Sequence, residues 1–206
     1  MSPRNLLIAA VAIVAIVAGA WLSNQLGTPT EPSSPRVATV LSGANAIADF
    51  NLTDHTGNKA GPEIFTGQWD LVFFGFTHCP DICPLTLQVL STARQELLEA
   101  GFDPLPRIVL VSVDPERDTP ELLAQYIAYF GDDNLGITGE LAEVRKLTKS
   151  LGIFFDKSER EDGSYLVDHS SAVLLIDPNG EFRALFSSPH EPGNYVHDIP
   201  IIVNQP

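Results

Sequence analysis

Residues 72–87 read VFFGFTHCPDICPLTL, and the fold class turns on this stretch. The apolar run Val72 to Phe76 suits a strand buried on both faces, starting near Leu71. From 84 to 99, Leu87, Leu90, Leu97 and Leu98 recur at near-helical spacing with polar residues between them. A strand running through a loop into a helix sets that loop at the carboxyl end of a sheet, where open α/β folds bind ligands. The loop holds the chain's only two cysteines, Cys79 and Cys83, spaced C-x-x-x-C and each followed by proline. Pro84 is tolerated in a first helical turn because that N–H has no partner within the helix. A helix N-terminus favours negative charge, so the sequence predicts thiols of lowered pKa. Two such thiols imply redox chemistry or a soft metal.

Composition narrows the class. A chain of 206 residues with 44% hydrophobic residues has enough length for one domain with a sizeable core. A formal charge of −14 argues against nucleic acid, which needs a basic footprint. The acidic surface serves solubility and also suits a basic partner. Two cysteines cannot build a disulfide scaffold, so their place in one motif is functional.

Residues 6–22, LLIAAVAIVAIVAGAWL, carry no charge and would form a helix of roughly 25 Å, workable across a ~30 Å hydrocarbon core with flanking residues. Arg4 precedes the run, and no Lys or Arg follows until Arg36. The positive-inside rule then predicts a single pass with the N-terminus in and the rest on the periplasmic or extracytoplasmic side of a bacterial-type cytoplasmic membrane. A cleaved signal peptide is the competing reading, since Ala18-Gly19-Ala20 resembles a cleavage site. The lone cationic side chain and Trp21, suited to an interface, favour a retained anchor over 1–22. Residues 23–36, SNQLGTPTEPSSPR, read as an extended tether, taken to 45 as a flexible segment, with the folded domain at 46–206.

Within that domain, Ala48 to Thr53 predicts a strand, Asp54 to Asn58 a turn, and a second short strand follows. Ile108 to Val113 is another buried strand, ending at Asp114-Pro115. Thr119-Pro120-Glu121 opens a helix with Leu122, Leu123, Tyr126, Ile127 and Phe130 on its apolar face. Thr138 is expected to cap a further helix carrying Leu141, Val144, Leu147 and Leu151. Ser171 to Asp177 predicts a strand, Pro178-Asn179-Gly180 a tight turn, and Phe182 to Phe186 the returning strand. After Gly193 a short helix is expected, interrupted by Pro200. This order predicts an α/β thioredoxin-like fold, a central mixed sheet flanked by helices, with an N-terminal transmembrane anchor.

FGFTHCPDICP at 74–84, VSVDPERDTP at 111–120 and LVDHS at 166–170 together resemble the Sco/SenC family of membrane-anchored copper-delivery proteins. The resemblance runs from about residue 46 to 190 and includes the N-terminal anchor. It implies copper ligands at Cys79, Cys83 and His169, holding Cu(I) and/or Cu(II). It also implies a metallochaperone that supplies the dinuclear copper site of cytochrome c oxidase, or keeps that site's cysteines reduced. The partners implied are the copper-site subunit of the oxidase, a thioredoxin-like reductant and other copper chaperones.

The chemistry agrees with that ligand set. Thiolates favour Cu(I), and an added imidazole also suits Cu(II). Two sulfurs and one nitrogen leave a coordination position open, through which an incoming ligand can bind before a resident one leaves. Structural zinc wants four closed ligands, and His78, beside Cys79, is expected to point away. The alternative function is a thiol–disulfide oxidoreductase with Cys79 and Cys83 as catalytic residues, although a disulfide needs Cβ atoms closer than the ~5–6 Å expected across a helical turn. A copper or redox sensor is a third reading. On its own, a histidine in an Asp-His-Ser turn is more often a surface residue than a ligand. Asp114 is expected either to sit beside the cysteine loop and orient a ligand or to form an Asp-Pro turn. Asp118 is expected to help start the helix at Thr119. His55, His190 and His197 are expected at the surface, and Phe73, Phe74 and Phe76 in the core or around the site.

Overall fold

The computed structural model describes residues 2–26, 34–43, 45–160 and 165–204. The N-terminal unit is one helix, α1 (Pro3–Leu26), whose stretch Pro3–Leu22 has mean hydropathy 2.4. Its length and composition fit a membrane span, and it extends beyond the apolar run at both ends. Part of the expected tether, residues 27–33 and 44, lies outside the described residues.

The second unit begins at Ser34. Its strands are β1 (Thr39–Val40), β2 (Leu52–Asp54), β3 (Lys59–Ala60), β4 (Asp70–Gly75), β5 (Arg107–Ser112), β6 (Leu135–Thr138), β7 (Phe155–Glu159), β8 (Tyr165–His169), β9 (Val173–Ile176) and β10 (Phe182–Phe186). The helices are α2 (Ile82–Glu99), α3 (Pro120–Ala128), α4 (Leu141–Ser150) and α5 (Pro192–Val203), with a 3-10 turn at Pro62–Phe65. Eight strands form one sheet in the order β1-β10-β9-β4-β5-β6-β2-β3. The centre β4-β5-β6 is parallel, while β9 runs antiparallel to β4 on one side and β2 antiparallel to β6 on the other. This mixed sheet flanked by helices is a thioredoxin-like fold.

Every residue of β4 is buried, which explains its unbroken apolar pattern. Asp70 opens the strand without disrupting it because Arg107, directly opposite on β5, donates to both of its carboxylate oxygens at 2.9 and 3.2 Å. That pair lies at the amino ends of the parallel strands. The carboxyl ends deliver the cysteine loop on one strand and the Asp114 turn on its neighbour. The β9–β10 turn forms as expected: the Asp177 carboxylate accepts from the N–H groups of Asn179 and Glu181, and Gly180 takes φ 76°.

Several expectations need correction. Thr138 ends β6, a strand the sequence did not reveal, and its hydroxyl donates to the Asp118 carbonyl at 2.8 Å instead of capping α4. Pro200 does not interrupt α5, because Tyr195, Ile199 and Ile202 are buried and this packing outweighs the loss of one helical hydrogen bond. The first expected strand shrinks to β2. The folded part also starts earlier than 46. The N–H groups of Arg36, Val37 and Ala38 donate to the Asp198 carboxylate at 2.7, 2.9 and 2.9 Å, and β1 then pairs with β10. Burial alone would raise the Asp198 pKa, but these N–H groups and His197 hold it below the usual carboxylate value. Finally, β7 and β8 form a separate two-stranded ribbon, which the polar sequence FDKSE concealed.

Candidate metal site

The cysteine loop begins where β4 leaves the sheet. Thr77 is tied to the next strand through Asp118, whose carboxylate accepts from the Thr77 N–H at 3.0 Å, the Thr77 hydroxyl at 2.6 Å and the Ser112 hydroxyl at 2.7 Å. Asp118 is fully buried. Its role is therefore to brace the loop, while Thr119 caps α3 by accepting from the Leu122 N–H. Asp81, at the N-cap of α2, makes no side-chain cap bond. Instead the Cys83 N–H, one of the unpaired donors of the first turn, points at the Cys79 sulfur 3.4 Å away. The C-x-x-x-C spacing thus places one sulfur over the helix start and the other inside its first turn.

Cys83 is fully buried and Cys79 half-buried, and both are free thiols. Gly75 makes room for Cys83: a Cβ there would lie 2.8 Å from Phe73 Cε1 and 3.0 Å from Cys83 Sγ. The sequence expectation of two acidified thiols fails at Cys83. Burial pushes its pKa well up, and the neighbouring Cys79 sulfur adds to the rise. A metal ion bound there would reverse that penalty, since a coordinating thiol loses its proton outright.

His169 sits at the end of β8 and not in a turn. Its Nε2 lies 3.5 Å from Cys83 Sγ, and its Nδ1 lies 2.9 Å from the Ser170 carbonyl oxygen. A carbonyl only accepts, so Nδ1 carries the proton and Nε2 presents a lone pair toward the sulfurs. Phe73 and Phe76 pack against the ring with centroids at 5.8 and 5.7 Å, both edge-on. Burial lowers the His169 pKa, which keeps the imidazole neutral and fit to bind a metal. The ligand atoms of Cys79, Cys83 and His169 all lie within 4.8 Å of one another. Donors sharing one ion at ~2.0–2.3 Å stand up to roughly 4.5 Å apart, so the three can converge on a single metal with little movement. Among the described residues no fourth His, Cys, Asp or Glu joins the group. A soft S,S,N set with an open position suits copper better than structural zinc.

The remaining candidates fall elsewhere. His78 points away, its Nδ1 3.0 Å from the Thr77 hydroxyl and 3.7 Å from Asp118. Asp114 is buried but pairs with Arg117 and accepts from the Tyr165 hydroxyl at 2.8 Å, so it reaches the site only through the ribbon. The three histidines expected at the surface are half-buried and bonded. The Nδ1 of His55 accepts from the Gly136 N–H, His190 bridges the Ser171 carbonyl and the Tyr195 hydroxyl, and His197 pairs with Asp198. The sequence reading missed Tyr126, placing it only on the apolar face of α3. Among the described residues no group hydrogen-bonds to its buried hydroxyl, and burial, then the charges of Cys83 and Cys79, pushes its pKa up.

Comparison with known proteins agrees with this geometry. The SCO1/SenC family model matches residues 39–204. The mitochondrial SCO2 homolog of Homo sapiens is 39% identical over 166 residues, 80% of this chain and 62% of that protein. An SCO2-like protein of Rickettsia felis is 32% identical over 190 residues, 90% of this chain and 92% of that one. The chain thus spans less than two thirds of the human relative and nearly all of the bacterial one. The crystal structure of Arabidopsis thaliana ScoI with copper bound is 33% identical, covers 78% of this chain and 99% of its own, and superposes with a TM-score of 0.72. With a thioredoxin-like sheet, a Cys-Cys-His cluster at its carboxyl edge and these relatives, the chain belongs to the SCO1/SenC family.

Proposed function

We propose that this chain is a copper-binding metallochaperone that delivers copper to the dinuclear copper site of cytochrome c oxidase. The observation that carries the reading is the approach of His169 Nε2 to the cysteine pair, with all three ligand atoms within 4.8 Å. A dithiol enzyme has no need of an imidazole lone pair aimed at its buried sulfur. Copper is the cargo: Cys79 and Cys83 hold it as thiolates, and His169 adds the nitrogen that Cu(II) prefers. Half-buried Cys79 is the sulfur that a recipient reaches first. The helix α1 anchors the domain by a single pass, N-terminus in, on the extracytoplasmic side, where the recipient's copper site would face it. The proposed partners are the copper-site subunit of the oxidase, other copper chaperones as donors, and a thioredoxin-like reductant that returns the cysteines to thiols before loading.

The test uses the full chain in detergent micelles, reduced, as wild type and His169→Ala. Cu(II) absorption and affinity are measured beside the rate at which the protein reduces a small disulfide. Loss of an outer partner of a metal ligand typically costs 10–100-fold in affinity, so loss of the ligand itself should weaken Cu(II) binding by at least about 100-fold. Cu(I), content with two thiolates, should be retained, and thiol exchange should persist. Unchanged Cu(II) binding in His169→Ala would remove His169 from the site and favour the thiol–disulfide oxidoreductase reading.

A further inference from the structure

His169 reaches the cysteines on an element that does not belong to the main sheet. Among the described residues the ribbon β7–β8 makes its ladder only with itself, pairing Phe155 with His169 and Glu159 with Tyr165. Alternation along the strands places Phe155, Lys157, Glu159, Tyr165, Val167 and His169 on one face. On that face Phe155 and Val167 are buried, Lys157, Tyr165 and His169 half-buried and Glu159, opposite Tyr165 at the far end, exposed, while Asp156, Ser158, Leu166 and Asp168 on the opposite face are all exposed. At one end His169 is held by the site itself and by the Ser170 N–H, which donates to the Phe154 carbonyl. The other end, four residues away along β8 and thus roughly 13 Å distant, is held by Tyr165.

Tyr165 meets the turn that follows β5. Its hydroxyl donates to Asp114 Oδ1 at 2.8 Å, and the Arg117 guanidinium, itself paired with Asp114, lies 4.1 Å from the ring centroid. Lys157 lies 3.8 Å from the same ring and pairs with Glu116 at 2.7 Å. Arg117 also lies 5.7 Å from the ring of Phe76, which packs on His169. One short turn, residues 114–117, therefore grips the ribbon through a hydrogen bond, a cation–π contact and an ion pair. None of these groups is among the three ligands. The same turn runs directly into Asp118, which braces the cysteine loop, so a single segment of backbone holds both halves of the site.

We propose that Tyr165 is the positioning residue of the site: bound to Asp114 and Arg117, it fixes the ribbon so that His169 stays aimed at the two sulfurs. This rests on the metal-site reading above. The dithiol half of the site does not depend on the ribbon, so the proposal separates two metal states. Retention of Cu(I) by Cys79 and Cys83 is insensitive to Tyr165, whereas ligation by His169 requires it.

The experiment compares wild type, Tyr165→Phe, Tyr165→Ala and His169→Ala as the full chain in detergent micelles. Two readouts are independent of one another. Without metal, amide hydrogen exchange is followed in 155–159 and 165–169. With Cu(II), the nitrogen hyperfine signature of His169 and the rate of metal loss to a chelator are recorded, with Cu(I) retention measured alongside. A hydrogen bond to a charged group is worth roughly 10- to 100-fold in an equilibrium, so Tyr165→Ala should speed ribbon exchange and Cu(II) loss by that factor. Its Cu(I) retention should match that of His169→Ala. Tyr165→Phe keeps the ring between the cations and should fall between wild type and alanine. Faster ribbon exchange with an unchanged nitrogen signature and unchanged Cu(II) loss would overturn the positioning role while leaving the metal site intact. If Cu(I) and Cu(II) were lost together, Tyr165 would be a residue of general stability, which also overturns the proposal. If wild type and His169→Ala held Cu(II) alike, the metal-site reading itself would fall and take the proposal with it.

Discussion

Replacing Asp118 by alanine tests whether the cysteine loop is held by the turn after β5. The carboxylate accepts three hydrogen bonds, two from Thr77 and one from Ser112. In Asp118→Ala the Thr77 hydroxyl can turn to His78, whose Nδ1 is already 3.0 Å away. The Thr77 N–H and the buried Ser112 hydroxyl have no such outlet. An enclosed donor left without a partner costs about 1–3 kcal/mol, so the two together cost about 2–6 kcal/mol. Relief from burying a carboxylate offsets part of this and leaves about 3 kcal/mol as the expected loss. With a urea dependence of ~2 kcal/mol per molar, the midpoint should fall by about 1.5 M. Trp69 is buried in the domain and reports its unfolding by fluorescence, while Trp21, the only other tryptophan, lies in α1. Hydrogen exchange locates the damage, which should centre on residues 76–80. Had Asp118 served only to start α3, the loss would be about 1 kcal/mol and exchange would rise at 120–123. That outcome would refute the bracing role.

Two further perturbations follow from the same geometry. Gly75→Ala places a Cβ 3.0 Å from Cys83 Sγ and 2.8 Å from Phe73 Cε1. It should cost about 1–3 kcal/mol by overpacking and weaken Cu(I) and Cu(II) binding together, since it displaces a sulfur; unchanged metal affinity would show that the sulfur has room to move. At the far end of the sheet, burial pushes the Asp70 pKa up to about 6 against the opposing pull of Arg107. A raised folded-state pKa means that the contribution is present in full below the unfolded value near 4 and is lost as pH rises through 6. The shift from 3.8 to about 6 corresponds to about 3 kcal/mol. Urea titrations from pH 4 to 7 should show this declining component in wild type and not in Asp70→Asn, and equal slopes in the two would count against it.

Much of the architecture was legible in the chain because it depends on neighbours in sequence. An all-apolar run followed by helical periodicity fixes β4 and α2 locally, and the cysteine spacing places both sulfurs at the start of that helix. The apolar run at the N-terminus shows α1, and Pro178-Asn179-Gly180 shows the β9–β10 turn. The resemblance to a known family named the ligands, although the residues alone left His169 as an ordinary turn histidine. Tertiary structure decided the rest, for a physical reason common to each case. His169 meets Cys83 across 86 positions of sequence, and Asp198 collects the N–H groups of 36–38 across 160 or more. No local pattern encodes such pairings, which arise only when strand order brings distant segments together. The ribbon stayed hidden because one of its faces is polar and its other face is buried only once the domain exists. The same holds for Asp118: a buried aspartate and a helix-starting aspartate look alike in sequence, and only the enclosed donors of Thr77 and Ser112 distinguish them. The Cys83 thiol follows suit, since burial raises its pKa more than a helix N-terminus lowers it, and burial belongs to the folded molecule alone.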